Sequence, residues 1–169
     1  EIGSRLGFLG LGTDKSVNGM SEDKNGNLWI ATDRDGLLKM NVYSYEVENV
    51  EPESMNTNAK IAGSVKIQSV YVDDTNLLWV GTQKYGVAYW GKNIYKFDGN
   101  AIGDVSAMCE DGAGKIWYGT EDDGVLGYNG PIASKKVTAM AYTKDGSMWV
   151  GSMQNGLTRI KNGQAHIYS

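Results

Sequence analysis

One cysteine, one histidine and two prolines stand in 169 residues, and each scarcity removes a route to function. A lone thiol, Cys109, builds neither a disulfide framework nor a cysteine-rich metal site. It leaves the redox compartment open. A nucleophilic role for Cys109 needs a base, and His166, near the C-terminal end, is the single histidine. Cys109 is therefore expected to be a small buried residue and His166 a surface one. No apolar run approaches the length of a membrane span, and no signal peptide is read. A chain opening at Glu1 without methionine suits an exported, processed protein or a trimmed piece. Sixteen Lys and Arg against 20 Asp and Glu leave a net charge of −4, and no basic cluster exists. Nucleic acid is therefore not an expected partner.

Glycine is abundant, at 23 residues, and with so little proline it marks tight turns in place of flexible linker. Ten tyrosines and five tryptophans against two phenylalanines suit half-buried sheet surfaces with polar tips. The glycines frame one recurring phrase. GKIWYGTEDDG at 114–124 has counterparts in GNLWIATDRDG from Gly26, NLLWVGTQKYG from Asn76 and GSMWVGSMQNG from Gly146. Taking Val17, Ile67, Val105 and Val137 as anchors, the tryptophans Trp29, Trp79, Trp117 and Trp149 each follow by twelve residues. Gly36, Gly86, Gly124 and Gly156 follow the anchors by nineteen. Three places after each anchor stand Met20, Val70, Met108 and Met140. The anchors lie 50, 38 and 32 residues apart, and the variation falls after the second glycine. Fixed offsets in four copies indicate a repeat architecture.

Within a copy the period is that of strands. VSAMCED alternates up to a glycine turn, KIWYGT follows as a second strand, and VLGY leads to an Asn129-Gly130 turn and a fourth, poor strand. Four antiparallel strands in 33 to 40 residues make one propeller blade, which cannot bury two apolar faces alone and must stack. The reading is all-β: a propeller of four four-stranded blades starting near 17, 67, 105 and 137 over residues 17–169. Residues 1–16 form an extra strand or the remnant of a preceding blade, and residues 49–64 form a long loop. The tryptophans are expected to pack between blades, with Met20, Val70, Met108 and Met140 filling gaps. Ala31, Gly81, Gly119 and Gly151 allow close approach. Thr32, Thr82, Thr120 and Ser152 hydrogen-bond loop backbone.

The phrase V-x-x-M-x-E-D-x-x-G-x-L/I-W-x-G-T-x-x-x-G-L/V, spread over 17–169, resembles the two-component regulator propeller repeat. That resemblance implies the periplasmic sensor of a membrane-bound hybrid histidine kinase, many of which detect polysaccharide fragments. It also implies a periplasmic or extracellular location. Family sensors usually carry more than four repeats, so the likeness bears on fold more directly than on signalling.

Topology supplies the candidate site. In a four-stranded blade, the loop between strands two and three opens on the same side as the connection between blades. One face thus gathers Asp33, Arg34 and Asp35; Gln83, Lys84 and Tyr85; Glu121, Asp122 and Asp123; and Met153, Gln154 and Asn155. These loops differ between copies while the strands do not. Tyr85 offers a stacking surface for a sugar, and Arg34, Gln83, Gln154 and Asn155 offer directional hydrogen bonds. No cofactor is expected, although the acidic run 121–123 leaves calcium open as a bridging cation. Three classes of function stand: a module binding a carbohydrate or small polar ligand, a structural element pairing chains through exposed blade faces, and a propeller lyase or hydrolase. The last would use carboxylates such as Asp35 and Asp123 as acid and base.

Overall fold

Four short antiparallel sheets follow one another along the chain. The structure, a computed structural model, describes residues 16–50, 66–84, 86–91, 94–98, 104–126 and 135–168. The first sheet holds β1 (Val17–Glu22), β2 (Asn27–Thr32), β3 (Leu37–Asn41) and β4 (Val47–Val50) in sequence order. The second holds β5 (Ile67–Val72), β6 (Leu78–Thr82), β7 (Val87–Gly91) and β8 (Ile94–Asp98). In the third are β9 (Val105–Glu110), β10 (Ile116–Thr120) and β11 (Val125–Leu126). The fourth holds β12 (Val137–Tyr142), β13 (Met148–Ser152), β14 (Gly156–Lys161) and β15 (Gln164–Tyr168). The strands β1, β5, β9 and β12 pack side by side, so the anchors lie on the innermost strand of each blade. The fold is a β-propeller. No helix occurs among the described residues, so none is long and apolar enough to cross a membrane.

The loop read over 49–64 begins later than expected. Asn49 and Val50 belong to β4, where Val50 pairs with Leu37 and is buried beside Trp29. Val50 closes an apolar face that a loop would leave open. Residues 1–15, the rest of that segment (51–64), and the turn at Asn129 and Gly130 lie outside the described residues.

A repeated bulge explains why each anchor and the residue three places on share a face. Strict alternation would put them on opposite faces. The register shifts between Val17 and Gly19, between Ile67 and Ser69, between Val105 and Ala107, and between Val137 and Ala139. One extra residue restores the same facing. Ile67 and Val70 therefore both meet the first blade, in a cluster with Trp29, Ala31, Leu37 and Val50. Val105 and Met108 meet Val87, Tyr71 and Trp79 of the second. Val137 and Met140 meet Ala107, Cys109, Trp117 and Val125 of the third.

Each following anchor also accepts a side-chain hydrogen bond on its carbonyl. Asn18 Nδ2 donates to Ile67 O (2.7 Å), Ser69 Oγ to Val105 O (2.9 Å) and Ser106 Oγ to Val137 O (2.5 Å). The close approach expected at the small residues is present at two of them. A β-carbon on Gly81 would lie 2.6 Å from Val105 O, and one on Gly119 would strike Val137 Cγ1 and lie 2.9 Å from Met140 Sδ.

Two expectations fail at the ends of the stack. Met20 is 61% exposed instead of filling a gap between blades. Trp149 and Gly151 face no following blade: Trp149 packs on Tyr168 and Arg159 of its own sheet. The three atoms nearest the position of a Gly151 β-carbon, at 3.5–3.7 Å, all belong to Thr138 and Ala139 of its own sheet.

Candidate functional site

The loops between the second and third strands share one construction. Thr32, Thr82 and Thr120 each donate from Oγ1 to the carbonyl of the glycine four residues on, at 2.8–2.9 Å. Those glycines, Gly36, Gly86 and Gly124, have φ between +69° and +73°, a region an L-residue with a β-carbon seldom adopts. In the fourth copy Ser152 Oγ instead accepts from Asn155 N (3.1 Å).

The first residue of each loop is tied by its N–H to the residue just before the innermost strand. Asp33 bonds Ser16 O, Gln83 bonds Lys66 O, Glu121 bonds Asp104 O and Met153 bonds Lys136 O. Three loops are joined to the next blade as well. The Lys66 ammonium pairs with Asp33 (2.7 Å), Lys84 N donates to Asp104 Oδ1 (2.8 Å), and Lys136 N donates to Glu121 O (2.7 Å). The bond from Lys66 holds the Asp33 carboxyl below its ordinary range, with Asn18 adding to it.

The expected site residues thus fall on rigidly based loops with differing tips. Arg34, Lys84, Asp122, Asp123 and Gln154 are exposed, and Asp35, Gln83 and Asn155 are half-buried. Asp35 N and Asp123 N each donate to the threonine of their own loop. Tyr85 lies outside the described residues. Neighbouring loops are brought together pairwise through Asp33–Lys66, Lys84–Asp104 and Glu121–Lys136. Asp35 and Asp123 belong to the first and third blades, with the second between them. Two open depressions, of about 240 and 330 Å³, lie elsewhere, on the outer strands of the first and fourth blades.

At the opposite end of the blades the structure shows a second repeated device, of which the sequence reading made nothing. Asp23, Asp73 and Asp111 each stand six residues before a tryptophan. One carboxylate oxygen accepts two loop N–H groups, and the other accepts the indole Nε1–H at 2.8–3.0 Å. Burial raises the pKa of all three, but the combined hydrogen bonds outweigh it, so each is lowered. The signal was present as Asp at a fixed offset of six. The fourth copy has Thr143 there, and Asp145 instead binds Arg159 (2.9 Å) and Lys161 (3.1 Å).

No catalytic grouping emerges around the thiol. Cys109 is buried between the third and fourth blades. Burial, and then the charge of Asp111, push its pKa up to about 11. Such a thiol is a poor nucleophile. An aromatic disulfide reagent at about pH 8 is expected to leave native Cys109 unmodified and to react at once in denaturant. Rapid reaction in the native state would show that the blades part there. His166 is exposed on β15, edge-on to Tyr168. Among the described residues no three His, Cys, Asp or Glu side chains are grouped to hold a metal.

Comparison with known proteins matches residues 10–34 and 131–154 to the family model described as the two component regulator propeller. Those two stretches, which make up less than a third of the chain, are similar to the two-component regulator propeller repeat. No curated protein matches it by sequence. Among solved structures, the chain resembles the extracellular domain of a putative hybrid two-component system from B. thetaiotaomicron. The TM-score is 0.68 at 18% identity, covering 90% of this chain and 24% of that one. The extracellular domain of a putative one-component system from the same organism gives 0.67 at 19%, covering 94% and 22%. Virginiamycin B lyase from Staphylococcus aureus gives 0.70 at 18%, covering 94% and 57%. The chain thus spans a little over half of the lyase and about a quarter of the extracellular domains. At these identities the likeness is one of fold.

Proposed function

We propose that these repeats act as an extracytoplasmic recognition module, binding a carbohydrate or similar polar ligand on the face formed by the loops between second and third strands. One observation carries this reading. The same tie to the blade entry recurs in all four loops and the same threonine–glycine lock in three of them, beneath tips that are largely exposed and chemically different. A constant base under variable tips is how scaffolds present recognition residues. Arg34, Gln83, Gln154 and Asn155 supply the planar guanidinium and amide groups that sugar hydroxyls demand. The acidic tip at Asp122 and Asp123 disfavours an anionic ligand there unless a cation such as calcium bridges the two. The resemblance to extracellular domains of sensor systems supports a sensing role on the outer side of a membrane. The lyase alternative draws on fold alone, since Asp35 and Asp123 stand two blades apart.

Calorimetric titration against a panel of neutral oligosaccharides tests the site. The wild type is expected to bind at least one member. An Arg34→Ala/Gln83→Ala variant, altered on two adjoining loops, is expected to bind it at least about tenfold more weakly, as loss of a charge-assisted hydrogen bond implies. Equal heats from the two proteins would refute the site.

A further inference from the structure

One polar depression belongs neither to the loop face nor to the packing between blades. Trp29 turns toward the second blade, where Ile67 and Val70 meet it. Its partners in register, Lys39 on β3 and then Glu48 on β4, stand on the same face farther out. Asn27 and Asn41, paired two residues along, share that face. With Glu46 and Val47 these four side chains line an open depression of about 240 Å³. The second blade already stands on this side, so the depression lies at a junction that the chain itself builds. β2 runs from Asn27 to Thr32, which places the depression toward the end opposite Arg34 and Gln83.

Several of the lining groups are fixed by one set of bonds and keep another to offer. Asn27 Nδ2 donates to both oxygens of Asp23 (3.1 and 2.9 Å), which leaves its carbonyl oxygen to accept. Asn41 Oδ1 accepts from Tyr43 N (2.9 Å) and Ser44 N (3.0 Å), which leaves its amide to donate. Lys39 Nζ donates to Glu48 Oε1 (2.7 Å) and rests over the Trp29 ring at 5.7 Å. An ammonium has three donors and a carboxylate two oxygens, so neither is used up. In the second blade Tyr89 stands in the place of Lys39 and closes on Trp79, ring to ring at 4.9 Å.

The lining selects by charge. Lys39 opposes a cation, Glu46 and Glu48 oppose an anion, and Val47 alone offers little to an apolar ligand. A neutral molecule rich in groups that both donate and accept fits all three conditions, and the hydroxyl is such a group. We infer that this depression binds one ring of a neutral sugar. Neighbouring hydroxyls donate to the Glu46 and Glu48 carboxylates and accept from Lys39 Nζ and Asn41 Nδ2. The volume falls below the range of about 300–1,000 Å³ for drug-sized ligands, which suits a single ring over a longer fragment. The site is separate from the loop face and stands whether or not that face binds.

Two-dimensional amide NMR spectra of the 169-residue chain read the site directly, because the Asn27 and Asn41 side-chain amides give signals of their own. The probes are methyl glycosides of glucose, galactose, mannose, xylose and arabinose, each raised to about 50 mM. At least one is expected to shift the Asn41 side-chain amide and the Lys39 and Glu48 backbone amides saturably, with a millimolar Kd. Glu46→Ala/Glu48→Ala is expected to bind it about tenfold more weakly, as loss of charge-assisted hydrogen bonds implies. Lys39→Met keeps an aliphatic cover on Trp29 and removes the ammonium. It should weaken binding likewise, and it serves if the double variant is perturbed. Glucosamine and methyl glucuronide should bind more weakly than the neutral glycoside, and tighter binding of either would overturn the ligand class. Absence of saturable shifts across the panel, or an unchanged Kd in both variants, would overturn the site. Shifts confined to the surroundings of Arg34 and Gln83 would overturn it too, while supporting the loop face.

Discussion

Replacing Trp29 with alanine is expected to lower the unfolding free energy by about 3–5 kcal/mol, the largest single loss in the chain. Its ring is 8% exposed and lies among Ala31, Leu37, Val50, Ile67, Val70, Leu78 and Val80, at the junction of two blades. Truncation removes about 150–250 Å² of aromatic surface and leaves the Asp23 carboxylate without its indole donor. A domain of this size has about 5–15 kcal/mol in total, so the variant should be close to unfolding. Trp117 is half-buried against the third and fourth blades and should cost less, toward about 3 kcal/mol. Trp149 occupies the same place in its phrase, but among the described residues its ring partners, Tyr168 and Arg159, belong to its own sheet, so Trp149→Ala should cost least. Urea midpoints measured in dilute solution check this order. A Trp149→Ala loss equal to that of Trp29→Ala would show that tertiary position does not set the cost.

Asp73→Ala is expected to have the second largest effect, about 3 kcal/mol at neutral pH. It strips the acceptor from the Trp79 indole (2.8 Å), from Thr75 N and Leu77 N (2.9 Å each), and from the Thr75 hydroxyl (2.7 Å). A buried donor left unsatisfied costs about 1–3 kcal/mol. The same group makes the protein acid-labile. Burial alone would raise the pKa of Asp73, but its hydrogen bonds bring it below the ordinary 3.8. The folded chain therefore releases this proton more readily than the unfolded one. Its contribution is complete above the unfolded pKa and is lost as pH falls through the lower, folded value. Asp23 and Asp111 act in the same direction. The wild-type urea midpoint should fall as pH drops below 3.8, and the gap between wild type and Asp73→Ala should narrow. A gap as wide at about pH 2 as at pH 7 would show that the charge of Asp73 is not what holds the loop.

The repeat was legible because its determinants are local. Gly36, Gly86 and Gly124 recur where the backbone needs positive φ, and the threonine four residues before each is the partner of its carbonyl. Such pairs act over a few residues and so leave a fixed spacing in the chain. The candidate site was legible for the same reason: loop position within a blade follows from strand order. The Asp–Trp pairing at an offset of six was equally local. The letters were present, but the indole's donor was not set against the carboxylate that takes it.

The sequence by itself determined the strands, the turns between them and the order of blades, because each rests on contacts within about twenty residues. Only the tertiary structure decided which of four equivalent residues are buried. Trp29 and Trp149, Gly119 and Gly151, Met140 and Met20 are the same letters in the same phrase. One member of each pair is covered by a neighbouring blade and the other is not. Burial belongs to the interface between repeats, and a repeat cannot encode whether a neighbour stands beside it.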